Sequence, residues 1–155
     1  MVTLLLIIAI GIVIVTISRV KRRKKPPKRV TNLKVRAKII IVRRRKVTVG
    51  ILTWTYPSQR TDGTAISPTD TLTATIFDSF SPGPGIGTAM GNAGAAGTFT
   101  AGAGVGLIPG THNFTVTITD SEGNTSAVSN IATLVVPSIL APPNAVTDLS
   151  VMAGP

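Results

Sequence analysis

The sequence has few of the residues that most often carry out chemistry. Its 155 residues include no cysteine, one histidine (His112) and six acidic side chains. Disulfides and thiolate chemistry are therefore excluded. A catalytic site needs acids, bases or nucleophiles that converge, and this chain supplies few of them. The sequence predicts a protein that is not an enzyme and that has no cofactor, metal site or small-molecule substrate.

Each half of the chain lacks charges of one sign. All 16 Lys and Arg residues lie between Arg19 and Arg60, and all six acids lie between Asp62 and Asp148. The formal net charge of +10 therefore describes neither half. The chain is a strongly basic segment joined to a mildly acidic one.

Residues 1–18 carry no charge and are mostly Leu, Ile and Val. As a helix they would span about 27 Å, close to the ~30 Å hydrocarbon core of a bilayer. Cations follow this segment, whereas a cleaved signal peptide has them in front. The sequence therefore predicts a retained transmembrane helix over residues 1–18. The alternatives are a cleaved signal peptide and a helix or strand buried within a large assembly.

A basic, proline-containing linker is predicted for residues 19–29. Lys and Arg collect on cytoplasmic flanks, so the linker predicts a single-pass protein with its N-terminus outside and its body on the cytoplasmic side, or facing the capsid in a membrane-containing virion. Anionic headgroups would attract the same cations. The first basic cluster consists of Arg19, Lys21, Arg22, Arg23, Lys24, Lys25, Lys28 and Arg29.

Beyond Pro26 and Pro27 the apolar residues alternate with a period of two, which is typical of strands. Five to seven short strands without an amphipathic helix predict an all-β antiparallel sandwich over residues 30–137. Trp54 and Phe114 are predicted core residues. The inward positions are Leu33, Val35 and Ala37; Leu52, Trp54 and Tyr56; Leu72, Ala74 and Ile76; Phe114, Val116 and Ile118; and a last strand through Val128, Ala132, Leu134 and Val136, with a further short strand near Phe99.

Three sequence stretches resemble the fibronectin type III family and its bacterial immunoglobulin-like relatives. They are VTNLKV at residues 30–35, LTWTYP at residues 52–57, and LIPGTHNFTVTITDSEGNTSAVS at residues 107–129. The resemblance covers most of residues 30–136. It implies a β-sandwich module that makes contacts with other proteins.

A repeat links the two ends of the body. PPKRVTNLKVRA at residues 26–37 and PPNAVTDLSVMA at residues 142–153 share seven identities in twelve positions. This spacing fits one sandwich plus a linker. Residues 138–155 are therefore predicted to be a linker and the first strand of a second, incomplete module. Alternatively, Val146–Val151 is a spare strand that pairs with the edge of a neighbouring subunit.

Several apparent motifs are better explained by structure than by chemistry. His112 is predicted to be an ordinary loop residue. Residues 120–124 mimic the start of a calcium loop, but the glycine and the final acid are misplaced, so a turn is predicted. The glycine-rich stretches at residues 81–87 and 101–106 lack the neighbouring helix and cation of a phosphate-binding loop.

A second basic run consists of Arg43, Arg44, Arg45 and Lys46. Its partner is open: lipid headgroups or water, an acidic protein surface, or nucleic acid, which would bind through its phosphates. Aromatic residues for base stacking do not accompany these cations.

The sequence as a whole favours a structural protein, a membrane-anchored sandwich that contacts other protein subunits in a larger assembly. A minor virion protein that links the internal membrane to the capsid of a membrane-containing phage is one setting that fits. The alternatives are a bacterial envelope adhesion module or accessory subunit of a membrane complex, and a basic nucleic-acid-binding protein.

Overall fold

The computed structural model of the chain describes residues 23–138 together with the backbone of residues 2–8 and 11–17. Three members of the first basic cluster, Arg19, Lys21 and Arg22, lie outside the described residues. So do residues 139–155, which carry the predicted strand of a second module.

The N-terminal segment contains two short strands, β1 (Val2–Ile8) and β2 (Gly11–Ile17). They pair antiparallel, with Val2 opposite Ile17. Runs of Ile and Val have high β-propensity as well as high hydropathy, so the same composition suits both a strand and a membrane helix. The transmembrane helix predicted for residues 1–18 is not confirmed, and part of that range lies outside the described residues.

Across the residues that the structure describes, no helix has the length and apolar character needed to cross a membrane.

The body is all-β and is built from two antiparallel sheets. A three-stranded sheet has the order β3-β4-β7, and a four-stranded sheet has the order β6-β5-β8-β9. The sheets share one apolar core, as in a β-sandwich. The strands are β3 (Lys34–Val42), β4 (Arg45–Thr55), β5 (Thr71–Asp78), β6 (Gly87–Asn92), β7 (Ala96–Ala101), β8 (Gly110–Thr119) and β9 (Ala132–Val136).

The core follows the alternation of the sequence. In β5 and β8 every second side chain is buried, while the threonines between them are only partly covered. Trp54 is 3% exposed and contacts Tyr56 edge to face, with 5.8 Å between ring centroids. Gly97 lies opposite Trp54 in the ladder between β4 and β7. A side chain at Gly97 would overlap the indole ring, so the glycine makes room for the largest core residue.

Three parts of the strand prediction need correction. β3 and β4 run on to a two-residue turn and form a longer hairpin than the alternation indicated. Val128 precedes β9 and is 51% exposed, because residues 126–130 follow an irregular path. β6 was not predicted, since its sequence, GTAMGN, has too few large apolar residues to show a period of two.

Candidate functional site

The linker is fixed to one end of the sandwich by backbone hydrogen bonds. The amide of Lys28 donates to the carbonyl of Gln59 at 2.9 Å, and the amide of Thr61 donates to the carbonyl of Pro26 at 3.0 Å. Pro27 is buried between these two bonds. Because proline has a fixed φ and no N–H to leave unpaired, it suits this short bridge at the sheet margin. The chain therefore enters the sandwich in one defined direction.

Arg60 holds the same end together from inside. Its Nη1 donates to the carbonyl of Lys25 at 2.7 Å and to Asp120 Oδ2 at 2.6 Å. Both side chains are buried, at 6% and 3% exposure. A buried charge of this kind needs a partner, and here each member supplies one. The pair joins the linker, the segment after β4 and the turn after β8.

Asp120 also organises the turn that follows β8. Its Oδ1 accepts hydrogen bonds from the amides of Glu122 and Asn124, at 3.0 and 2.9 Å. Burial alone would raise the pKa of Asp120, but the hydrogen bonds from Arg60, Asn124 and Glu122 outweigh it and lower the pKa to about 2. Asp120, which resembled a calcium ligand in the sequence, therefore stabilises a turn and an ion pair instead. No cluster of three or more metal-ligating side chains occurs among residues 23–138.

The described part of the first basic cluster surrounds this linker end. Lys24 Nζ lies 2.9 Å from Glu122 Oε1 at the surface. Two open clefts flank the linker, one beside Arg23, Lys24 and Lys25, the other beside Lys28 and Arg29. These cations are exposed and lie at one end of the molecule.

The second basic run forms the tip of the β3–β4 hairpin. Val42 pairs with Arg45, which leaves Arg43 and Arg44 as a two-residue turn. Both have positive φ, 48° and 67°. A two-residue hairpin of this kind normally contains Asn and Gly at these positions, because other residues are strained there. Four consecutive cations therefore stand at an exposed turn whose backbone is not the one these residues prefer.

The two basic surfaces lie at opposite ends of the sandwich. β4 starts at the hairpin tip and ends at Thr55, where Asn32 of the linker side accepts the Thr55 amide proton at 3.1 Å. Ten residue steps of strand measure about 34 Å. β8 gives the same polarity, since Gly110 pairs with Val136 near the tip and Asp120 meets Arg60 at the linker end. This separation is several times the Debye length of ~8 Å in physiological salt.

His112 contradicts its sequence-based interpretation. It belongs to β8 and is 2% exposed, so the prediction of an ordinary loop residue is wrong. Its Nδ1 lies 2.7 Å from Asp78 Oδ2 and its Nε2 lies 2.9 Å from the carbonyl of Ile108. The ring stacks on Phe80, with 4.9 Å between centroids. With both ring nitrogens facing acceptors, the imidazole ties the loop before β8 to β5.

The pKa of His112 reflects this arrangement. Burial alone would lower the pKa, but the hydrogen bonds to the Ile108 carbonyl and to Asp78, together with the negative charge of Asp78, raise it above its ordinary value. A proton on each ring nitrogen satisfies both acceptors, so the charged form fits the site. Neither nitrogen is left to accept a proton from a reacting group.

The glycine-rich stretch at residues 101–106 supports the hairpin rather than a ligand. Gly102, Gly104 and Gly106 have positive φ. Gly106 packs against Val47, and the amide of Leu107 donates to the carbonyl of Thr48 at 2.7 Å. The loop thus covers the side of β4 that β7 does not reach, because β7 pairs only from Gly50 to Thr55.

Sequence reasoning found both basic surfaces but not what holds them. Arg60 and Asp120 are 60 residues apart, and nothing in either neighbourhood marks them as partners. The placement of the two basic surfaces at opposite ends of the sandwich could be seen only once the pairing of the strands was known.

The chain matches no protein-family model, and the comparison with curated proteins found no match either. The site is therefore defined by its geometry: a clamped basic linker at one end of a β-sandwich and a basic hairpin tip at the other.

Proposed function

We propose that this chain is a non-enzymatic structural protein that holds a β-sandwich at a membrane and contacts other protein subunits through the far end of the sandwich. In this proposal residues 1–18 cross the bilayer as a single helix, in place of the β1–β2 pair described above, and the first basic cluster lies among anionic headgroups. The N-terminus is then outside and the body lies on the cytoplasmic side, or faces the capsid in a virion with an internal membrane.

The observation that carries the proposal is the polarity of the sandwich. The cations beside the apolar segment belong to a linker that is clamped to the body, whereas the second basic run stands about 34 Å away at the hairpin tip. Three further exposed cations, Lys34, Arg36 and Lys38, lie along β3 between the two ends. A rigid body with two ends of this kind suits a bridge between a lipid surface and a second layer. Headgroups bound at the linker end would leave the tip beyond their electrostatic reach.

The character of the tip favours a protein partner. Arg43, Arg44, Arg45 and Lys46 supply positive charge, and Ile39 and Ile41 on the same hairpin are 66% and 73% exposed. Apolar side chains among cations suit a protein surface that carries both acidic and apolar residues. A phosphate backbone would use the charges alone. The partner proposed here is therefore another subunit of a larger assembly.

The proposed fold family is fibronectin type III or a bacterial immunoglobulin-like relative. The division into a three-stranded and a four-stranded antiparallel sheet, with Trp54 on the second strand of the body, supports this assignment. Modules of this architecture serve many functions, so the fold alone does not choose between a virion linker and a bacterial envelope module or accessory subunit.

Vesicle flotation tests the anchoring half of the proposal. The full chain is reconstituted with vesicles of phosphatidylcholine and phosphatidylglycerol and is compared with a chain lacking residues 1–18. We expect the full chain to float at both low and high salt, and the shortened chain to float only at low salt, since the basic linker alone binds by screened electrostatics. Release of the full chain by high salt without detergent would contradict a spanning segment.

A second experiment tests whether the partner of the hairpin tip is nucleic acid instead of a protein subunit. A duplex DNA probe is titrated against the full chain in detergent and against a variant with Arg43, Arg44, Arg45 and Lys46 changed to Ser. The proposal expects weak binding that is similar for both chains. Tight binding that depends on these four cations and falls steeply with salt would favour a nucleic-acid-binding protein.

A further inference from the structure

Strand β3 leaves one side of its backbone unpaired. It lies at the margin of the three-stranded sheet, where it pairs with β4 alone. In an antiparallel ladder every second residue exchanges both of its hydrogen bonds with the partner strand, and the residues between them point their N–H and C=O groups away from it. A margin of this kind is a template on which another extended chain can form a further strand.

The register shows which residues of β3 point away from β4. The carbonyl of Thr48 accepts a hydrogen bond from the amide of Leu107 at 2.7 Å, and Leu107 follows β7, on the side of β4 away from β3. Ile39 is opposite Thr48 and therefore points its backbone groups away from β4. The same holds for every second residue of the strand. This set consists of Val35, Ala37, Ile39 and Ile41.

Asn130 shows what this side of β3 can bind. Its Oδ1 accepts a hydrogen bond from the amide of Leu33 at 3.0 Å, and its Nδ2 donates to the carbonyl of Leu33 at 2.9 Å. One side-chain amide thus makes the two bonds that a residue of an added strand would make. Among residues 23–138, no other group forms hydrogen bonds with this side of β3. We call the backbone from Val35 to Ile41 on this side the open edge.

The side chains beside the open edge have different chemistry on the two faces of the sheet. Lys34, Arg36 and Lys38 are exposed on the outer face. Ile39 and Ile41, on the inner face, are 66% and 73% exposed. Ile39 also lines an apolar groove of about 300 Å³, whose other wall is the end of β9. An added strand would therefore meet cations on one face and apolar surface on the other.

We propose that the open edge binds an extended segment of a partner protein, in which acidic and apolar residues alternate, as an additional antiparallel strand. The backbone of the segment pairs with β3 and its acidic side chains lie beside Lys34, Arg36 and Lys38. Its apolar side chains lie on the inner face, towards the groove. The proposal deepens the proposed function and rests on it for one point, that the partner is a protein subunit; membrane anchoring is not involved.

The same charges disfavour a second copy of the chain as the added strand. Antiparallel pairing of residues 35–41 with the same residues of another copy puts Lys38 opposite Lys38. Like charges directly opposite one another destabilise a strand pair. Lysines on edge strands commonly protect a sheet against pairing with itself. A segment with acids at these positions replaces the repulsion by attraction.

N-methylated peptides test strand addition directly. The probe is a fluorescent seven-residue peptide in which Glu and Val alternate, with Glu at both ends, titrated with the full chain in detergent at physiological salt. Methylation of the three Val amides blocks the bonds to β3, because directly opposite residues that share a face exchange them. Methylation of three Glu amides, which point away, is the matched control. We expect binding to weaken at least about tenfold in the first case and less than about threefold in the second.

Three results would overturn the proposal. The first is that the unmodified peptide does not bind. The second is that methylation of Val has no effect, or that a peptide with the same residues in two separate blocks binds equally well; the cations would then attract any acidic chain without forming a strand. The third is that only methylation of Glu weakens binding, which would place a parallel strand at the open edge.

A backbone change in β3 provides a second test. Ala37→Pro removes an amide of the open edge without taking a bond from the β3–β4 ladder, and proline is tolerated at edge positions of this kind. Ala37→Ser keeps the amide and is the control. We expect Ala37→Pro to weaken binding of the unmodified peptide at least about tenfold and Ala37→Ser to leave it unchanged. Equal binding by the two variants would contradict pairing at the open edge.

Charge changes locate the acidic side chains of the peptide. A variant with Ser at Lys34, Arg36 and Lys38 should bind the peptide at least about tenfold more weakly, since all three opposite charges are lost. The variant with Ser in place of the second basic run should show a smaller effect, because those cations lie beyond the pairing residues. A larger effect of the second basic run would assign the peptide to the hairpin tip. Because the titrations are done in detergent, such a failure would overturn the strand addition alone, whereas vesicle flotation tests the anchoring.

Discussion

The linker end and the hairpin tip of the sandwich are both rich in arginine, yet they use it differently. Arg60 at the linker end is buried against Asp120 and holds the backbone of Lys25. Arg43 and Arg44 at the tip are exposed, have positive φ and form no salt bridge within residues 23–138. At the linker end the buried arginine stabilises the fold itself. At the hairpin tip the arginines and the neighbouring apolar side chains stay exposed, as a surface for a partner requires.

Breaking the buried pair should have the largest effect. Arg60→Met leaves Asp120 without its cationic partner and releases the linker carbonyl of Lys25. We expect the free energy of unfolding to fall by about 3 kcal/mol or more, because an uncompensated buried charge remains. Urea denaturation of the full chain in detergent measures this loss.

The matched change at the tip is Arg44→Met, for which we expect a change within about 0.5 kcal/mol. The double variant Arg60→Met with Asp120→Leu should recover part of the loss, since it removes both charges. Similar destabilisation by Arg60→Met and Arg44→Met would erase the difference between the two ends.

Acid should weaken the linker end selectively. The pKa of Asp120 is about 2 in the folded chain and its ordinary value is 3.8. A lowered pKa contributes stability above the ordinary value, and that stability is lost as the pH falls towards the folded value. The loss expected between about pH 4 and pH 2 is about 2 kcal/mol.

Thermal melting across this pH range measures the acid effect, and Asp120→Asn provides the control. The control should be less stable at neutral pH and should lose less stability in acid. A control that follows the same acid profile as the unchanged chain would assign the effect to other carboxylates.

Base should weaken the tip end. Burial alone would lower the pKa of His112. The hydrogen bonds to the Ile108 carbonyl and Asp78, and the charge of Asp78, outweigh burial and raise the pKa. A raised pKa contributes stability below the ordinary value of 6.5, and that stability is lost as the pH rises through the folded value. We expect a loss of about 1.5 kcal/mol in the free energy of unfolding, the lower end of the range for a hydrogen bond to a charged group.

Hydrogen exchange resolves where this loss occurs. Amides of the loop before β8, including that of Leu107, should exchange faster at high pH after correction for intrinsic rates, while those of Lys28 and Thr61 at the linker end should not. His112→Gln should remove the pH dependence at the tip. An alkaline loss that is uniform across both ends would contradict the assignment to His112.

The strain at the tip should yield the smallest effect on stability and should separate backbone from charge. Arg43→Asn with Arg44→Gly gives the turn the residues that its positive φ values favour. We expect a gain of about 1 kcal/mol in the free energy of unfolding. The same variant should bind an acidic partner less well, since two cations are lost.

Arg43→Asn with Arg44→Asn is the control for charge, since it removes the same two cations but introduces no glycine. Its gain in stability should be smaller, because asparagine tolerates positive φ less freely than glycine. No gain from either variant would mean that the turn carries little strain.

The sequence predicted the parts of the fold that large alternating side chains define. Leu72, Ala74 and Ile76 in β5, and Phe114, Val116 and Ile118 in β8, are all fully buried. It did not predict β6, whose glycines and alanines have no clear period, or the hairpin turn, whose arginines replace the usual turn residues. Local pattern carries local information, and these two elements depend on the neighbouring strands.

The candidate site was predictable in composition but not in arrangement. Both basic runs are evident in the sequence, and their separation to opposite ends follows only from strand pairing. The roles of Arg60 and His112 come from contacts across 60 and 34 residues. No spacing rule connects such residues before the sheets are known.

The measurement that tests the central claim most directly is fluorescence quenching by lipids that carry a spin label in the headgroup. A single cysteine is placed at Lys28 of the linker end or at Arg44 of the tip, labelled with a fluorophore, and the full chain is reconstituted into anionic vesicles. The account predicts strong quenching of the label at residue 28 and little at residue 44. Equal quenching at both positions, or quenching at residue 44 alone, would contradict a sandwich held with its linker end at the membrane and its tip away from it.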